Sequence, residues 1–556
     1  MADYKNKTIV DLLNDRIPRN PDQSALSFVG EDPLSYSELD NGIAALAQFL
    51  NSEGIKPGDR VALLSENSPY WGMCYLSVVS IGAVIVPILP DFHKSEVHHI
   101  LRNSEARIMF ISSKLFHKIE DADFKSVKRI VVVDDESLEH TKIKTLKLSE
   151  LNTSENTQKG NKLRQNTKIH PDDLMEILYT SGTTGHSKGV MLTHKNIVSN
   201  IFAGLNALPI TEKDTLLSIL PLAHSYECSM GFLAAFYGGA TIYYIQGPPT
   251  GPIVLSAVAQ VNPTIILSVP LIMDKIYKKK VLPQINAKAY SKMMYRMKAT
   301  RGLVAKIAGK KLKESFGGNL RVMVFGGAAM PPEVEDFLIE ADFSFICGYG
   351  LSETAPLLTV SPEGQHKRRS AGKIVMDVTC RIDDPDPDTG VGEIVVQGPN
   401  IMKGYYKNEE ETQKTFSKDG WLITGDRGYL DSDNYLFIKG RSKNLIVGPS
   451  GENIYPEEIE YHLSQNPFVL EPLVYEKDGR IVARVFLDYD SIDQELHTSN
   501  MEQSEASKRI QSLLEDLRQE VNGKVAAYSR IHRIIEQQEE FIKTPTKKIK
   551  RYLYRE

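Results

Sequence analysis

The sequence predicts an α/β protein. A large N-terminal domain of parallel sheets with covering helices and a β-rich subdomain precedes a small α+β C-terminal domain. Three observations predict this. Short apolar runs recur at the spacing of strand–helix–strand units. From about Lys373 the texture changes to short strands with Asp, Gly and Pro turns, as in Val378–Ile382, Gly392–Val396 and Asn434–Ile438. From about Ser442 it returns to a mixed, charge-rich pattern. At 556 residues more than one domain is expected, and the division is drawn at 1–440 and 441–556.

The elements follow in order. Ile9, Leu12, Leu13 and Ile17 share one face of an amphipathic helix. Ala25–Val29 and Leu34–Tyr36 read as a hairpin, with Ser37 as cap of a helix running to Leu50. Val61–Leu64, Val84–Pro87, Ile108–Ile111 and Ile130–Val133 are short buried strands separated by helical spacing. Residues 149–169 are polar and read as a solvated loop. Five more strand-like runs lie between Thr215 and Ile346. The polar stretch Asp488–Lys508 reads as a surface excursion.

Composition narrows the function classes. Apolar content of 41% and charged content of 25% are ordinary globular values, and a net charge of -5 gives no reason to expect nucleic acid. Cys74, Cys228, Cys347 and Cys380 are scattered, with no Cys-x-x-Cys, and read as reduced thiols. The first residues carry no apolar signal core. Met73–Leu89, the longest apolar stretch, is broken by Ser77, Ser80, Gly82 and Pro87 and reads as a helix running into a strand, not a span. A cytoplasmic protein is expected.

The chemistry-bearing stretches begin at Tyr179-Thr-Ser-Gly-Thr-Thr-Gly-His-Ser-Lys-Gly189, directly after the strand Leu174–Leu178. Glycines let backbone N–H groups turn inward, hydroxyls donate and Lys188 supplies charge, which suits phosphate. It is not a Walker loop, because Gly189, not Ser or Thr, follows the lysine. Phe325-Gly-Gly-Ala-Ala-Met-Pro-Pro offers a strand end that a flat ring can approach closely. Gly348-Tyr-Gly-Leu-Ser-Glu-Thr354 gathers an aromatic, a hydroxyl and a carboxylate able to hold Mg²⁺. Gly420-Trp-Leu-Ile-Thr-Gly-Asp426 places an Asp suited to ribose hydroxyls. Arg441 and Lys443 follow, and the basic tail runs Phe541-Ile-Lys-Thr-Pro-Thr-Lys-Lys-Ile-Lys-Arg551.

One charge feature stands apart. Thirteen lysines and arginines from Lys275 to Lys313 have no acid between them, and Tyr290, Met293, Met294, Met297, Val304 and Ile307 recur among them at helical spacing. Such a region lies on an anionic membrane, meets an acidic partner, or is a solvated face over an ordinary core, and the pattern leaves the three open.

In this order the stretches resemble the acyl-adenylate-forming, AMP-binding superfamily of acyl-CoA synthetases, peptide-synthetase adenylation domains and luciferases, from about Thr8 to Arg551. Pro221-Leu-Ala-His-Ser-Tyr-Glu, Val269-Pro-Leu-Ile-Met-Asp-Lys-Ile-Tyr and Gly451-Glu-Asn-Ile-Tyr-Pro-Glu-Glu-Ile-Glu resemble the long-chain fatty acid–CoA ligases. The resemblance implies ATP-dependent activation of a fatty acid to acyl-adenylate and its transfer to coenzyme A, releasing AMP and pyrophosphate, with Mg²⁺. It implies that Thr180, Ser181, Gly182, Thr183, Thr184, Gly185 and Lys188 cradle the β- and γ-phosphates, and that Thr180 and Glu353 hold Mg²⁺. Gly327, Ala328, Tyr349, Gly350, Ser352 and Thr354 complete the nucleotide site, with Ala328 and Tyr349 flanking adenine. Asp426 and Arg441 take the ribose. Lys548 bridges carboxylate and α-phosphate oxygens. The small domain is implied to be mobile and to rotate about Lys443, withdrawing Lys548 and bringing Ser450, Gly451 and Glu452 to the coenzyme A channel. His224 lines the acyl pocket.

The sequence departs from the family pattern in three places. Ser187 stands where Pro is usual, Ser352 where Thr is commoner, and Lys547 where Gly precedes the tail lysine, which makes Lys547 a rival to Lys548 that Ile549 and Arg551 argue against. Two other functions remain: transfer to an acyl carrier protein by the same adenylation chemistry, and a non-catalytic lipid-binding or membrane scaffold.

Overall fold

The computed structural model describes residues 4–120, 124–138, 143–180, 187–448, 452–496, 501, 503–544 and 548–554. Contacts divide the chain into two compact units. One comprises Met1–Cys380, Val396–Leu422 and Ser432–Leu436; the other comprises Arg381–Val395, Ile423–Asp431 and Phe437–Glu556.

The first unit is built on two large sheets. In the eight-stranded sheet the order is Gly404–Tyr405, Lys188–Thr193, Leu174–Thr180, Val84–Pro87, Arg60–Leu64, Ile108–Ile111, Arg129–Val132, Thr145–Lys147. From Leu174–Thr180 onward neighbours run parallel, while the first two strands run antiparallel at the edge. The nine-stranded sheet has a parallel centre, Phe345–Gly350, Val322–Phe325, Ile265–Ser268, Thr215–Ser218, Thr241–Tyr244 and Ser24–Phe28. Its strands are short, apolar and buried, as parallel strands covered on both faces must be. Met73–Leu89 is a buried helix, Pro69–Val79, running into strand Val84–Pro87. Trp71 and Tyr75 stack at 5.2 Å, with Phe232 edge-on to both. Burial of each such ring contributes roughly 1.5–3 kcal/mol.

Three local expectations are corrected. Ser35, not Ser37, caps the helix Tyr36–Ser52: its hydroxyl accepts from the Glu38 amide, and the Glu38 carboxylate accepts from the Ser35 amide to close a reciprocal box. The polar stretch 149–169 is not a loop but holds the helix Ser154–Asn166. Its packing side is Gly160, where a Cβ would meet the Ala44 carbonyl oxygen at 1.8 Å, and Arg164, which donates to Asp40 at 2.6 Å. A helix docked through a glycine and an arginine shows no apolar stripe. The excursion 488–508 carries the helix Tyr489–Leu496, whose Ile492 is buried in a core.

The second unit has a three-stranded sheet, Val469–Lys477, Arg480–Leu487 and Arg533–Gln537. Its first two strands are joined through Asp478 and Gly479, both at positive φ (53° and 71°), as a two-residue hairpin requires. Helices Pro456–Ser464 and Gln503–Asn522 close over Leu463, Val485, Ile492 and Val521. Arg381–Val395 and Ile423–Asp431, parts of the expected β-rich subdomain, count with this unit, so it starts earlier in the chain than residue 441.

Candidate active site

The phosphate-loop candidate connects two antiparallel strands. Leu174–Thr180 pairs with Lys188–Thr193, with Thr180 opposite Lys188 and Tyr179 opposite Gly189. Ser181, Gly182, Thr183, Thr184 and Gly185 lie outside the described residues. Lys188 opens a strand, Lys188–Thr193, and not a helix, so the positive charge at this position comes from its side chain. Ser187 is buried, and its Oγ has no hydrogen-bond partner among the described residues.

Lys188 is held by two residues that sequence reasoning missed. Its Nζ ion-pairs with Glu411 and lies 5.4 Å from the centre of the Tyr405 ring. The Tyr405 hydroxyl donates to Glu353 Oε1 at 2.8 Å. Tyr405 reaches both groups because Gly404–Tyr405 pairs with Met191 and Val190, next to Lys188. Asn408 caps the helix Glu409–Thr415, which aims Glu411 back at the lysine, and Thr412 Oγ1 accepts from the Tyr405 amide at 2.8 Å. Burial and the Glu353 carboxylate both push the Tyr405 phenol up, so it stays a hydrogen-bond donor. Lys188 and Glu353, 165 residues apart in the chain, therefore share one tyrosine.

Glu353 sits in a 3₁₀ turn, Ser352–Thr354, after the strand Phe345–Gly350. Gly350 is obligatory, since a Cβ there would meet the Pro356 carbonyl oxygen at 1.6 Å. Thr354 is fully buried, and its hydroxyl donates to Pro356 O at 2.5 Å and accepts from the Leu351 amide at 3.0 Å. It fixes the turn that carries Ser352 and Glu353. Ser352 Oγ lies 3.5 Å from Ser225 Oγ, which ties this turn to the loop bearing His224. His224 is half-buried, and its Nδ1 accepts from the Tyr226 amide at 3.3 Å.

Gly327 and Ala328 follow the strand Val322–Phe325, parallel neighbour of Phe345–Gly350, so they and Tyr349 leave the carboxyl ends of adjacent strands. Gly327 has φ +83° and Ala328 is exposed. Carboxyl ends of parallel strands are where open α/β sheets bind ligands. Among the described residues no three His, Cys, Asp or Glu side chains converge as a metal cage. Mg²⁺ that takes its remaining ligands from phosphate and water needs a single protein carboxylate, which Glu353 can supply.

Glu227 is buried at the start of the π-helix Glu227–Ala234. The Ser218 hydroxyl donates to its Oε1 at 2.6 Å, while Oε2 has no partner among the described residues. Burial raises its carboxyl to about 8. A raised carboxyl stabilises the fold fully below its ordinary value of 4.5, and that contribution fades as pH climbs through about 8. Thermal unfolding at pH 6 to 9 is therefore expected to show a falling Tm in the wild type and a flatter profile in Glu227→Gln. The difference corresponds to about 1.4 kcal/mol per pH unit below the shifted value. Parallel profiles would refute the assignment.

In the second unit Asp426 is buried, and Arg441 Nε donates to its Oδ1 at 2.9 Å. The Asp426 amide donates to Thr424 Oγ1 at 3.1 Å, which fixes the carboxylate's backbone. Lys443 lies in the short 3₁₀ turn Ser442–Asn444, and Ser442 bonds Glu393. Glu452 is half-buried; Ser450 and Gly451 lie outside the described residues, as does Lys547. Lys548 is exposed on a hairpin-like tail in which Thr544 N donates to Lys548 O at 2.7 Å and Lys543 bridges Ile549. Ile549 packs against the cluster of Leu473, Tyr475 and Phe541, and Arg551 pairs with the half-buried Glu460. Inward anchors thus follow the exposed Lys548.

Lys188, the carboxylate of Glu353 that shares Tyr405 with it, and the glycine-bearing strand ends make up the candidate site. The chain belongs to the AMP-binding enzyme family, within the adenylate-forming acid–CoA ligase superfamily: the family model matches residues 13–406. It is 29% identical over 466 residues to a long-chain-fatty-acid–CoA ligase of Mycobacterium bovis, covering 79% of this chain and 75% of the relative. It is also 29% identical over 539 residues to a 4-coumarate–CoA ligase of Humulus lupulus, covering 94% and 88%. The fold matches ATP-bound MatB from Rhodopseudomonas palustris with a TM-score of 0.74 at 24% identity, over 99% of this chain and 98% of that one. Among the described residues no helix is long and apolar enough to cross a membrane.

Proposed function

We propose that this protein activates a long-chain fatty acid in two half-reactions. The carboxylate attacks the α-phosphorus of ATP and breaks its bond to the bridging oxygen, giving acyl-adenylate and pyrophosphate. The thiol of coenzyme A then attacks the acyl carbon, AMP leaves with the former carboxylate oxygen, and the thiol proton passes to solvent. The observation that carries the first step is the convergence of Lys188 and Glu353 on Tyr405. A polyanion and an attacking anion need fixed cations and a metal ligand at one place. The relative from Mycobacterium bovis and the motif around His224 support the fatty acid.

In this reading Thr180 and the loop through Gly185 hold the outer phosphates, and Lys188 clamps the leaving pyrophosphate. Thr180 and Glu353 hold Mg²⁺, which offsets phosphate charge. Gly327, Ala328, Tyr349 and Gly350 receive adenine, with Ser352 beside it. Asp426 and Arg441 hold the ribose. Lys548 serves adenylation, and rotation of 441–556 about Lys443 then exchanges it for Ser450, Gly451 and Glu452 on the coenzyme A side. The protein works in the cytoplasm.

Glu411 competes with phosphate for Lys188. Glu411→Gln is expected to lower the KM for ATP by about fivefold with little change in kcat, since a half-exposed ion pair contributes about 1 kcal/mol. Steady-state kinetics at fixed Mg²⁺ checks this, and an unchanged or raised KM would refute it.

The acceptor is tested by supplying ATP, Mg²⁺ and palmitate with either coenzyme A or a holo carrier protein. Thioester from coenzyme A is expected. Hydroxamate-trapped adenylate with thioester on the carrier alone would overturn that reading, and no palmitate-dependent ATP–pyrophosphate exchange would overturn the fatty acid.

A further inference from the structure

The basic region Lys275–Lys313 folds as a run of helices, of which Ala289–Arg296 and Lys298–Ser315 carry most of its charge. The first of these has no fully buried residue. Met294 and Tyr295 pack partly against the core beside it. Tyr290, Met293, Leu303 and Ile307 are each between 56% and 60% exposed. At 100° per residue Tyr290 and Met293 form one stripe, with Lys292 and Arg296 on its outer flank. On the second helix Leu303 and Ile307 lie one turn apart, interleaved with Lys306 and Lys310 on the same face, while Val304, Ala305 and Leu312 point into the core.

The charge on this surface is uncompensated. Arg301 pairs with Glu340, and Lys278 with Asp274 and Glu333. Lys292, Arg296, Lys306 and Lys310 make no ion pair among the described residues, and no acid lies between Lys275 and Lys313.

We propose that these two helices dock the protein on an anionic lipid bilayer. Tyr290, Met293, Leu303 and Ile307 are exposed among cations that make no ion pair among the described residues, and that combination of apolar area and positive charge complements an anionic surface. A bilayer takes Tyr290, Met293, Leu303 and Ile307 at the headgroup–acyl boundary, while the lysine stems lie along the same apolar layer and their ammonium groups stay at the phosphates. Each cation near an anionic surface contributes about 1 kcal/mol, roughly fivefold in affinity, and the contribution falls with salt. The docking is independent of which acid is activated.

The test is co-sedimentation of the intact protein with vesicles of phosphatidylcholine alone or mixed with phosphatidylglycerol, at low and high salt. Binding is expected only to the mixed vesicles, with loss on raising salt. A variant with Lys292, Arg296, Lys306 and Lys310 all changed to Gln should bind roughly two to three orders of magnitude more weakly, from about fivefold per cation. Met293→Ser with Ile307→Ser should retain low-salt binding at roughly tenfold lower affinity, from removal of two partly inserted apolar side chains. Adenylation of a short, water-soluble acid, unchanged in both variants, certifies their fold. Absence of low-salt binding to mixed vesicles, equal binding to both vesicle types, or binding insensitive to the four Gln changes would each overturn the proposal. So would capture by an acidic carrier protein in place of vesicles.

Discussion

Lys548→Ala is expected to slow acyl-adenylate formation by about a thousandfold while leaving thioester formation from preformed acyl-adenylate nearly unchanged. The loss corresponds to ~4 kcal/mol, the upper range for removing one fixed charge or donor from a charge-developing transition state. The structure makes the variant a clean one. Lys548 is exposed, whereas the anchoring of its tail belongs to Ile549 in an apolar cluster and Arg551 on Glu460. Stability should stay within about 0.5 kcal/mol of wild type, as for exposed positions in general. Pyrophosphate exchange reads the first half-reaction, and coenzyme A with synthetic acyl-adenylate reads the second. Equal losses in both would remove Lys548 from its assigned step. A loss in exchange only when Lys547 is changed instead would transfer the role to its neighbour.

Glu353→Gln should have the next largest effect, a loss of about a hundredfold or more in adenylation with a rise in the Mg²⁺ concentration needed for half-maximal rate. The side chain keeps its size and still accepts from the Tyr405 hydroxyl, so what is removed is the charge that holds the cation. Tyr405→Phe is the control. It removes the donor that orients the carboxylate and should shift the Mg²⁺ dependence in the same direction, by about tenfold at most. If Glu353→Gln loses rate without any change in Mg²⁺ dependence, the carboxylate does not hold the metal.

The parallel strands were legible because each is written locally. Apolar runs such as Val61–Leu64 and Ile108–Ile111 are buried on both faces. What was not legible came from distance or from atypical packing. Glu411 lies 223 residues from Lys188 and sits in a run of three glutamates, Glu409–Glu411, that reads as a solvated helix start. Only the pairing of Gly404–Tyr405 with Val190 and Met191 brings it to the lysine. Thr354 is enclosed and fastens the Glu353 turn, a role that its place in the motif does not reveal. The helix Ser154–Asn166 was hidden because its buried positions are Gly160 and Arg164, which no hydropathy pattern marks. The basic region was seen in sequence, but whether its apolar residues faced a core required the exposure of Tyr290 and Met293.

The central claim is that the acid's own oxygen attacks the α-phosphorus of ATP. Palmitate labelled with ¹⁸O in both carboxylate oxygens, supplied with ATP, Mg²⁺ and coenzyme A, tests it directly by mass spectrometry of the nucleotide product. The account predicts AMP carrying one ¹⁸O for each thioester formed, with unlabelled pyrophosphate. ADP as the nucleotide product, or AMP without label, would contradict it.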